Sequence, residues 1–269
     1  MCQRAVGEQP KQSSGPSVWD YWICAGQTAC MLFAAVLLFF VNAPYGKFAN
    51  DKLAFSKFDI KMDGKIGFAI QEAPSSIVFA IVYYVYWDRV STLSLVYFAL
   101  WEIHYIHRAF IYTFFRQKSC NDTNLSVVAM AFCFTAINGY LTAKFALFEN
   151  LHENTSAISL LVGVALFAFG FTLNYNADEI LLNLRKPGDK GYYIPFGWPY
   201  KYVSCPNYLG EIIEWTGLFL AFRTLAGAAF VVNTCSNLVP RAVSTHKWYL
   251  NKFGDKYPRE RTAIVPFLF

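Results

Sequence analysis

The sequence predicts an all-α integral membrane protein, a seven-transmembrane helix bundle with a polar loop on its cytosolic side. Three observations lead there. The chain has 269 residues, of which 55% are hydrophobic and 19% aromatic but only 15% charged; an average soluble domain carries about 25% charged residues. Apolar runs long enough to cross a bilayer recur along the chain, and mean hydropathy is +0.30. Lys and Arg are unevenly placed. With seven spans and the N-terminus outside, the inside segments 42–72, 116–126, 185–206 and the tail from Arg241 hold 17 of the 23. That bias places the C-terminus in the cytosol.

The first span covers about Tyr21 to Val41. A polar segment follows, and Gln71-Glu72-Ala73-Pro74 reads as the start of the second helix, because Pro and acids suit a first turn. That helix runs to about Trp87, with a tight turn at Asp88-Arg89. The third span, Leu93 to Phe115, is interrupted by Glu102, His104, Tyr105, His107 and Arg108. The fourth, Val127 to Phe148, contains Asn138 and Lys144; the fifth runs from Ile158 to about Leu184 and turns polar in its last third. Glu211 to Val239 is broken near Arg223 and Gly227 and reads as spans six and seven. Residues 1–20 form a polar N-terminal segment without a signal-peptide pattern, and 21–269 read as a single membrane-embedded domain.

Several function classes are excluded. No basic run interleaves with aromatics, so nucleic acid is not an expected partner. The seven cysteines are odd in number and lack CxxC spacing, which fits reduced, buried thiols. The four histidines have no zinc-motif spacing, so no metal is expected. GxGxxG, Walker, GxSxG and HExxH motifs are absent, so any dinucleotide site is not a Rossmann fold.

The polar groups fall into constellations. Asn174, Asp178 and Arg185 share one helical face leading into a loop rich in Gly, Pro and Tyr. Ionisable groups at membrane depth face a cavity or each other: Asp178 suits ribose hydroxyls or an amide, Arg185 suits phosphate, and simple pairing at a helix end is the alternative. Asn207, Glu211, Glu214 and Trp215 form a second face, open to a ligand or to interhelical hydrogen bonds. Tyr105, Arg108 and Tyr112 share a stripe, and a buried Tyr beside a carboxylate or His is a proton-donor arrangement. Glu72 beside such a hydroxyl would orient it; alone it is a helix-start acid. The tail around Arg241, His246 and Trp248-Tyr249 is an interfacial anchor or a cover over a phosphate.

These residues carry a resemblance. Leu184-Arg185-Lys186-Pro187-Gly188, Tyr192, Ile194-Pro195 and Asn207-Tyr208-Leu209-Gly210-Glu211-Ile212-Ile213-Glu214-Trp215 are similar to the steroid 5α-reductase family. So are Gln71-Glu72, His104-Tyr105-Ile106-His107-Arg108, and the ending Trp248-Tyr249-Leu250 through Ile264-Val265-Pro266-Phe267-Leu268-Phe269. The likeness covers most of the chain and is weakest before about residue 65. It implies a seven-helix protein of the endoplasmic reticulum that uses NADPH to reduce the 4,5 double bond of 3-oxo-Δ4 steroids. It implies that Glu72 and Tyr105, with Gln71 nearby, hold the steroid 3-oxo group. It implies that Asn174, Asp178, Arg185, Tyr192, Asn207, Glu211, Arg241 and Tyr249, with Arg108 and Asn138, line the NADPH pocket, most of which lies within 120–269. One departure stands out: family members carry consecutive histidines after the Arg-Ala of the tail, where this chain has Val243-Ser244-Thr245-His246. That contact then falls to Thr245 or His246, or is lost. Two other readings compete: a trans-2-enoyl-CoA reductase of fatty-acid elongation, and a non-catalytic sterol- or lipid-binding membrane protein.

Overall fold

The computed structural model describes residues 15–40, 60–116, 122–184, 189 and 191–268. Among them, seven long helical stretches dominate: α1 (Val18–Phe40), α2 (Gly64–Val85), α3 (Thr92–Ile106) with a π-helical continuation (His107–Arg116), α4 (Leu125–Phe148), α6 (Ala157–Asn183), α7 (Pro206–Phe222) and α8 (Leu225–Phe253). A single turn, α5 (Leu151–Asn154), joins α4 to α6. Four of these helices, α1, α2, α4 and α6, are long and apolar enough to cross a membrane. The all-helical expectation has one small exception: β1 (Lys61–Met62) pairs antiparallel with β2 (Thr123–Asn124), tying the approaches to α2 and α4 together.

The tightest joint is α6 against α7. Gly163 and Gly170 on α6 meet Gly217 and Gly210 on antiparallel α7. A Cβ on Gly170 would lie 2.4 Å from the Glu214 amide nitrogen, and one on Gly210 would lie 2.5 Å from that of Asn174. Backbone therefore touches backbone, the packing that small residues permit between helices in a bilayer. The joint carries Asn174 and Asp178 past Asn207 and Glu211 at its polar end.

An aromatic core lies beside it. Phe79 stacks on Trp101 at 5.0 Å, and Trp101 meets Tyr105, Trp215 and Phe230 at 4.8, 5.3 and 5.4 Å. The Trp101 indole donates to the Ser75 carbonyl at 3.0 Å, and the Thr135 hydroxyl donates to the Gln71 carbonyl at 2.7 Å, so α2 is held between α3 and α4. α1 packs chiefly on α8; it buries only Asp20 and Cys24, and Trp22, Phe33 and Phe40 stay exposed, as on a lipid-facing helix.

Four boundaries differ from expectation. α2 starts at Gly64, not at Gln71, because Asp63 caps it by accepting from the amides of Lys65 and Ile66. Pro74 then sits inside the helix and forfeits one backbone hydrogen bond. The third helix changes from α to π at His107, where the Thr113 hydroxyl donates to the Arg108 carbonyl at 3.1 Å. α7 begins at Pro206, ahead of Glu211. α8 runs straight through Pro240 to Phe253, so the basic, aromatic stretch after Arg241 continues a helix rather than starting a separate tail. The break expected near Arg223 is present: Arg223 is left-handed (φ 52°), the Thr224 hydroxyl caps α8 by accepting from the Gly227 amide, and the Glu149 carboxylate accepts from the Leu225 amide.

Gly170→Ala should cost about 1–3 kcal/mol by overpacking the α6–α7 joint. Gly26→Ala, on a face of α1 with nothing within 4 Å, should be neutral or stabilising by up to about 1 kcal/mol. Thermal unfolding of the two variants in detergent checks the contrast; equal unfolding temperatures would contradict it.

Candidate active site

The site begins at the polar end of the α6–α7 joint. Asn174 and Asp178 are one turn apart on α6 and both buried. Asp178 uses both carboxylate oxygens: Arg108 donates to Oδ2 at 2.9 Å, and the Asn207 side-chain amide donates to Oδ1 at 3.0 Å. Asn174 donates to the Asn207 carbonyl at 3.0 Å. The two helices are thus stitched by side chains where the glycine contact ends. Arg108 comes from the π-helical segment, with its guanidinium over the rings of Phe68 (5.2 Å) and Tyr112 (5.3 Å). Eight residues further along the same segment, Arg116 pairs with Glu179 through two nitrogens. α3 and α6 are therefore joined by two adjacent carboxylates and two arginines.

Tyr105 stands beside this cluster. Its ring is 4.8 Å from Trp101 and stacks on Trp215 at 5.7 Å, with 26° between planes. Its hydroxyl lies near the Ser75 side chain, with Glu72, Glu211 and Glu214 in electrostatic reach. Arg108, Glu211, His104 and Arg241 lie within electrostatic reach of Glu72. Gln71 is half-buried next to Glu72, with its carbonyl committed to Thr135. Residues from α2, α3, α7 and α8 thus converge on one interior region. Glu211 makes no ion pair among the described residues and faces that region with Arg108 and Glu72 in electrostatic reach.

The cover formed by residues before α7 and the end of α8 is aromatic. Tyr192 packs on Trp248 at 4.9 Å, Trp248 meets Tyr249 at 5.2 Å, and Tyr249 stacks on Tyr257 at 5.1 Å, nearly parallel. The Arg241 guanidinium lies over Tyr208 at 5.2 Å. The Ser204 hydroxyl is 2.7 Å from His246 Nδ1 and 2.7 Å from the Tyr257 hydroxyl. The Ser204 and Cys205 amides donate to the carbonyls of Thr262 and Ala263, and the Thr262 amide donates to Tyr202, seating the last residues against the loop before α7. Thr245 is buried while His246 is committed to Ser204. Burial holds the His246 imidazole below its usual value and raises the Tyr257 phenol.

Most of the residues singled out in the sequence meet. Asn174, Asp178, Asn207 and Arg108 bond directly; Glu72, Tyr105, Glu211 and Arg241 surround them; Tyr249 and Tyr192 lie in the cover. Asn138 is buried on α4, its amide nitrogen without a hydrogen-bond partner among the described residues. Arg185 lies outside the described residues. Asp178 is satisfied by Arg108 and Asn207, a pairing across helices that spacing along one helix could not reveal. Three pairs were missed as pairs: His104–Glu214 (2.8 Å), Ser76–Glu102 (2.5 Å) and Ser204–His246. The two polar stripes contained His104, Glu102 and Glu214, but nothing in the sequence matched one stripe to the other.

Two predictions test these couplings. Arg108→Met should destabilise the protein by about 3 kcal/mol because it leaves Asp178 buried without its cation, and adding Asp178→Leu should restore part of that. Unfolding midpoints of the single and double variants decide this; purely additive losses would contradict the coupling. The second concerns pH. His246 has a folded-state value below its unfolded one, so protonation favours the unfolded chain. The tail contact is at full strength above about pH 6.5 and weakens as pH falls below that. Protection of the 202–205 amides from hydrogen exchange should drop from pH 7 to pH 5 in the wild type and stay level in His246→Gln.

The comparisons with known proteins agree on one family. The family model described as 3-oxo-5-alpha-steroid 4-dehydrogenase matches residues 121–269. The chain is 38% identical to the steroid 5-alpha-reductase DET2 of Solanum lycopersicum, over 87% of this chain and 91% of that protein. It is 34% identical to DET2 of Arabidopsis thaliana with the same coverage, and 35% identical to 3-oxo-5-alpha-steroid 4-dehydrogenase 1 of Homo sapiens, over 85% and 87%. With this likeness spanning the helices that build the polar cluster, the chain belongs to the 3-oxo-5-alpha-steroid 4-dehydrogenase family, oxidoreductases that act on CH–CH bonds.

Proposed function

We propose that this protein reduces the 4,5 double bond of 3-oxo-Δ4 steroids to 5α-3-oxosteroids at the expense of NADPH. The observation that carries the reading is the convergence of Tyr105 and Glu72, from α3 and α2, beside the Arg108–Asp178–Asn207 cluster. Tyr105 and Glu72 hold the enone oxygen; the cluster and the tail hold the cofactor. The donor set fits an anionic dinucleotide. Arg241 and Arg108 are cations near its polar end, Asn174, Asn207 and Glu211 suit amide and hydroxyl groups, and Tyr192 and Tyr249 offer ring faces. Arg185 belongs to the same set by sequence. Thr245, buried on the inward side of α8, takes the place where relatives place a histidine, since His246 is bonded to Ser204.

When bound, NADPH supplies the hydride that adds to C5. The protein's own task is to receive the charge this creates. Negative charge grows on the 3-oxo oxygen as the enolate forms. The Tyr105 hydroxyl, fixed between Trp101 and Trp215, donates a hydrogen bond to that oxygen, and Glu72 orients the hydroxyl. The aromatic wall of Trp101, Trp215 and Phe230 keeps water from the site, so one donor counts for more than it would in solvent. The same wall suits the apolar body of a steroid.

The protein is proposed to lie in the endoplasmic reticulum membrane as a single seven-span domain with its C-terminus in the cytosol. Lipid surrounds α1, and cytosolic NADPH reaches the tail side.

NADPH consumption with testosterone or progesterone, and product identification by mass, tests the activity; consumption only with an enoyl-CoA, or with none, would overturn it. Tyr105→Phe should lower turnover by about 10²–10³ while NADPH affinity stays near wild type. Glu211→Ala and Arg185→Ala should weaken NADPH binding in a fluorescence titration, and unchanged affinity would remove them from the pocket.

A further inference from the structure

We infer that His104 and Glu214 are a positioning pair that fixes the ring of Tyr105; the inference rests on the role given above to Tyr105. Glu214 is wholly buried on α7, and His104 is 4% exposed on α3. His104 Nδ1 and Glu214 Oε1 are 2.8 Å apart, and Glu214 Oε2 has no hydrogen-bond partner among the described residues. An ionisable pair in an apolar interior is costly, and packed hydrophobic side chains would stabilise the fold as well. Retaining it calls for a gain other than stability.

The surroundings say what that gain is. The His104 ring meets Tyr105 edge-on at 5.0 Å and lies 4.5 Å from Trp215, the residue next to Glu214. Tyr105 stacks on Trp215 in turn. Three rings from two helices therefore form one cluster, and the His104–Glu214 bond is a directional link between its two helices. Its α7 end is rigid, because the Glu214 backbone lies against Gly170 in the close joint. Its α3 end lies just before the change from α to π at His107, where the helical repeat alone does not fix the next side chains. The bond transfers the fixed geometry of α6–α7 to the α3 turn that carries Tyr105. Misplacing a catalytic group by about 1 Å can cost about 10²-fold in rate.

The test compares Glu214→Ala, Glu214→Gln and His104→Phe in the full chain, in detergent, with NADPH and testosterone. Glu214→Ala and His104→Phe should lower kcat by about 10²-fold while steroid KM and NADPH Kd stay near wild type. Both should also lower the unfolding temperature, because each leaves its buried partner unpaired, and the kcat-against-KM split is therefore the deciding readout. Glu214→Gln keeps an acceptor for His104 and should recover most of the loss. The inference is overturned if Glu214→Ala keeps wild-type kcat, if NADPH affinity falls in step with kcat, or if Gln is no better than Ala. Should Glu214→Ala fail to fold, Glu214→Gln against His104→Phe carries the decision. Wild-type turnover in Tyr105→Phe would instead sink the role of Tyr105 itself; an inactive Tyr105→Phe beside a fully active Glu214→Ala and His104→Phe would sink this inference alone.

Discussion

The close contact of α6 and α7 is the constraint on which the site depends. Four glycines let the two backbones touch, and this fixes the rise and rotation of each helix against the other. The polar residues one turn beyond the last glycine then have no freedom to choose partners. Asn174 finds the Asn207 carbonyl, and Asp178 finds the Asn207 amide. With Asp178 held from one side, Arg108 is drawn in from α3 and occupies the other oxygen. Each step uses the rigidity of the one before, and van der Waals contact rather than hydrophobic burial is the source of that rigidity in a bilayer.

The two halves of the proposed chemistry are attached to this joint differently. The cofactor half grows from its polar end and continues into the aromatic cover of Tyr192, Trp248, Tyr249 and Tyr257. That cover is clamped by the Ser204–His246–Tyr257 contacts and by the backbone bonds of the C-terminal residues. The enone half belongs to α2 and α3, which reach the joint through rings, the His104–Glu214 bond and the ion pairs of Arg108 and Arg116 with α6. Placing reductant and enone on separate supports that share one rigid reference is how two bound molecules can be aligned to within the tolerance that a transfer reaction needs.

Much of this was legible in the sequence. Apolar length gave the positions of the major helices, and the break at Arg223 followed from a charged residue and Gly227 in an apolar run. The stripes 174–178, 207–214 and 105–112 were readable because helical spacing puts such residues on one face. Pairings between stripes were not readable, because Arg108 and Asp178 are 70 residues apart and a stripe does not say what it faces. The start of α2 was misjudged because Pro74 looks like a first-turn residue, while the real signal, Asp63 accepting two amides, lies in a polar segment with several acids. The π-helical turn after Ile106 has no signature that periodicity could show, yet it carries Arg108 toward α6. Thr245 and His246 look interchangeable in the sequence as replacements for a histidine; in the structure Thr245 is buried and His246 is bonded to Ser204.

In the proposed reaction, hydride is delivered to C5 of an enone whose oxygen Tyr105 receives. The most direct measurement is turnover of a 3-oxo-Δ4 steroid with NADPH deuterated at the transferring position, followed by mass and magnetic-resonance analysis of the product. The expected product is a 5α-3-oxosteroid with one deuterium, at C5. Deuterium at another carbon, a reduced 3-hydroxyl with the double bond intact, or an unlabelled product would contradict it.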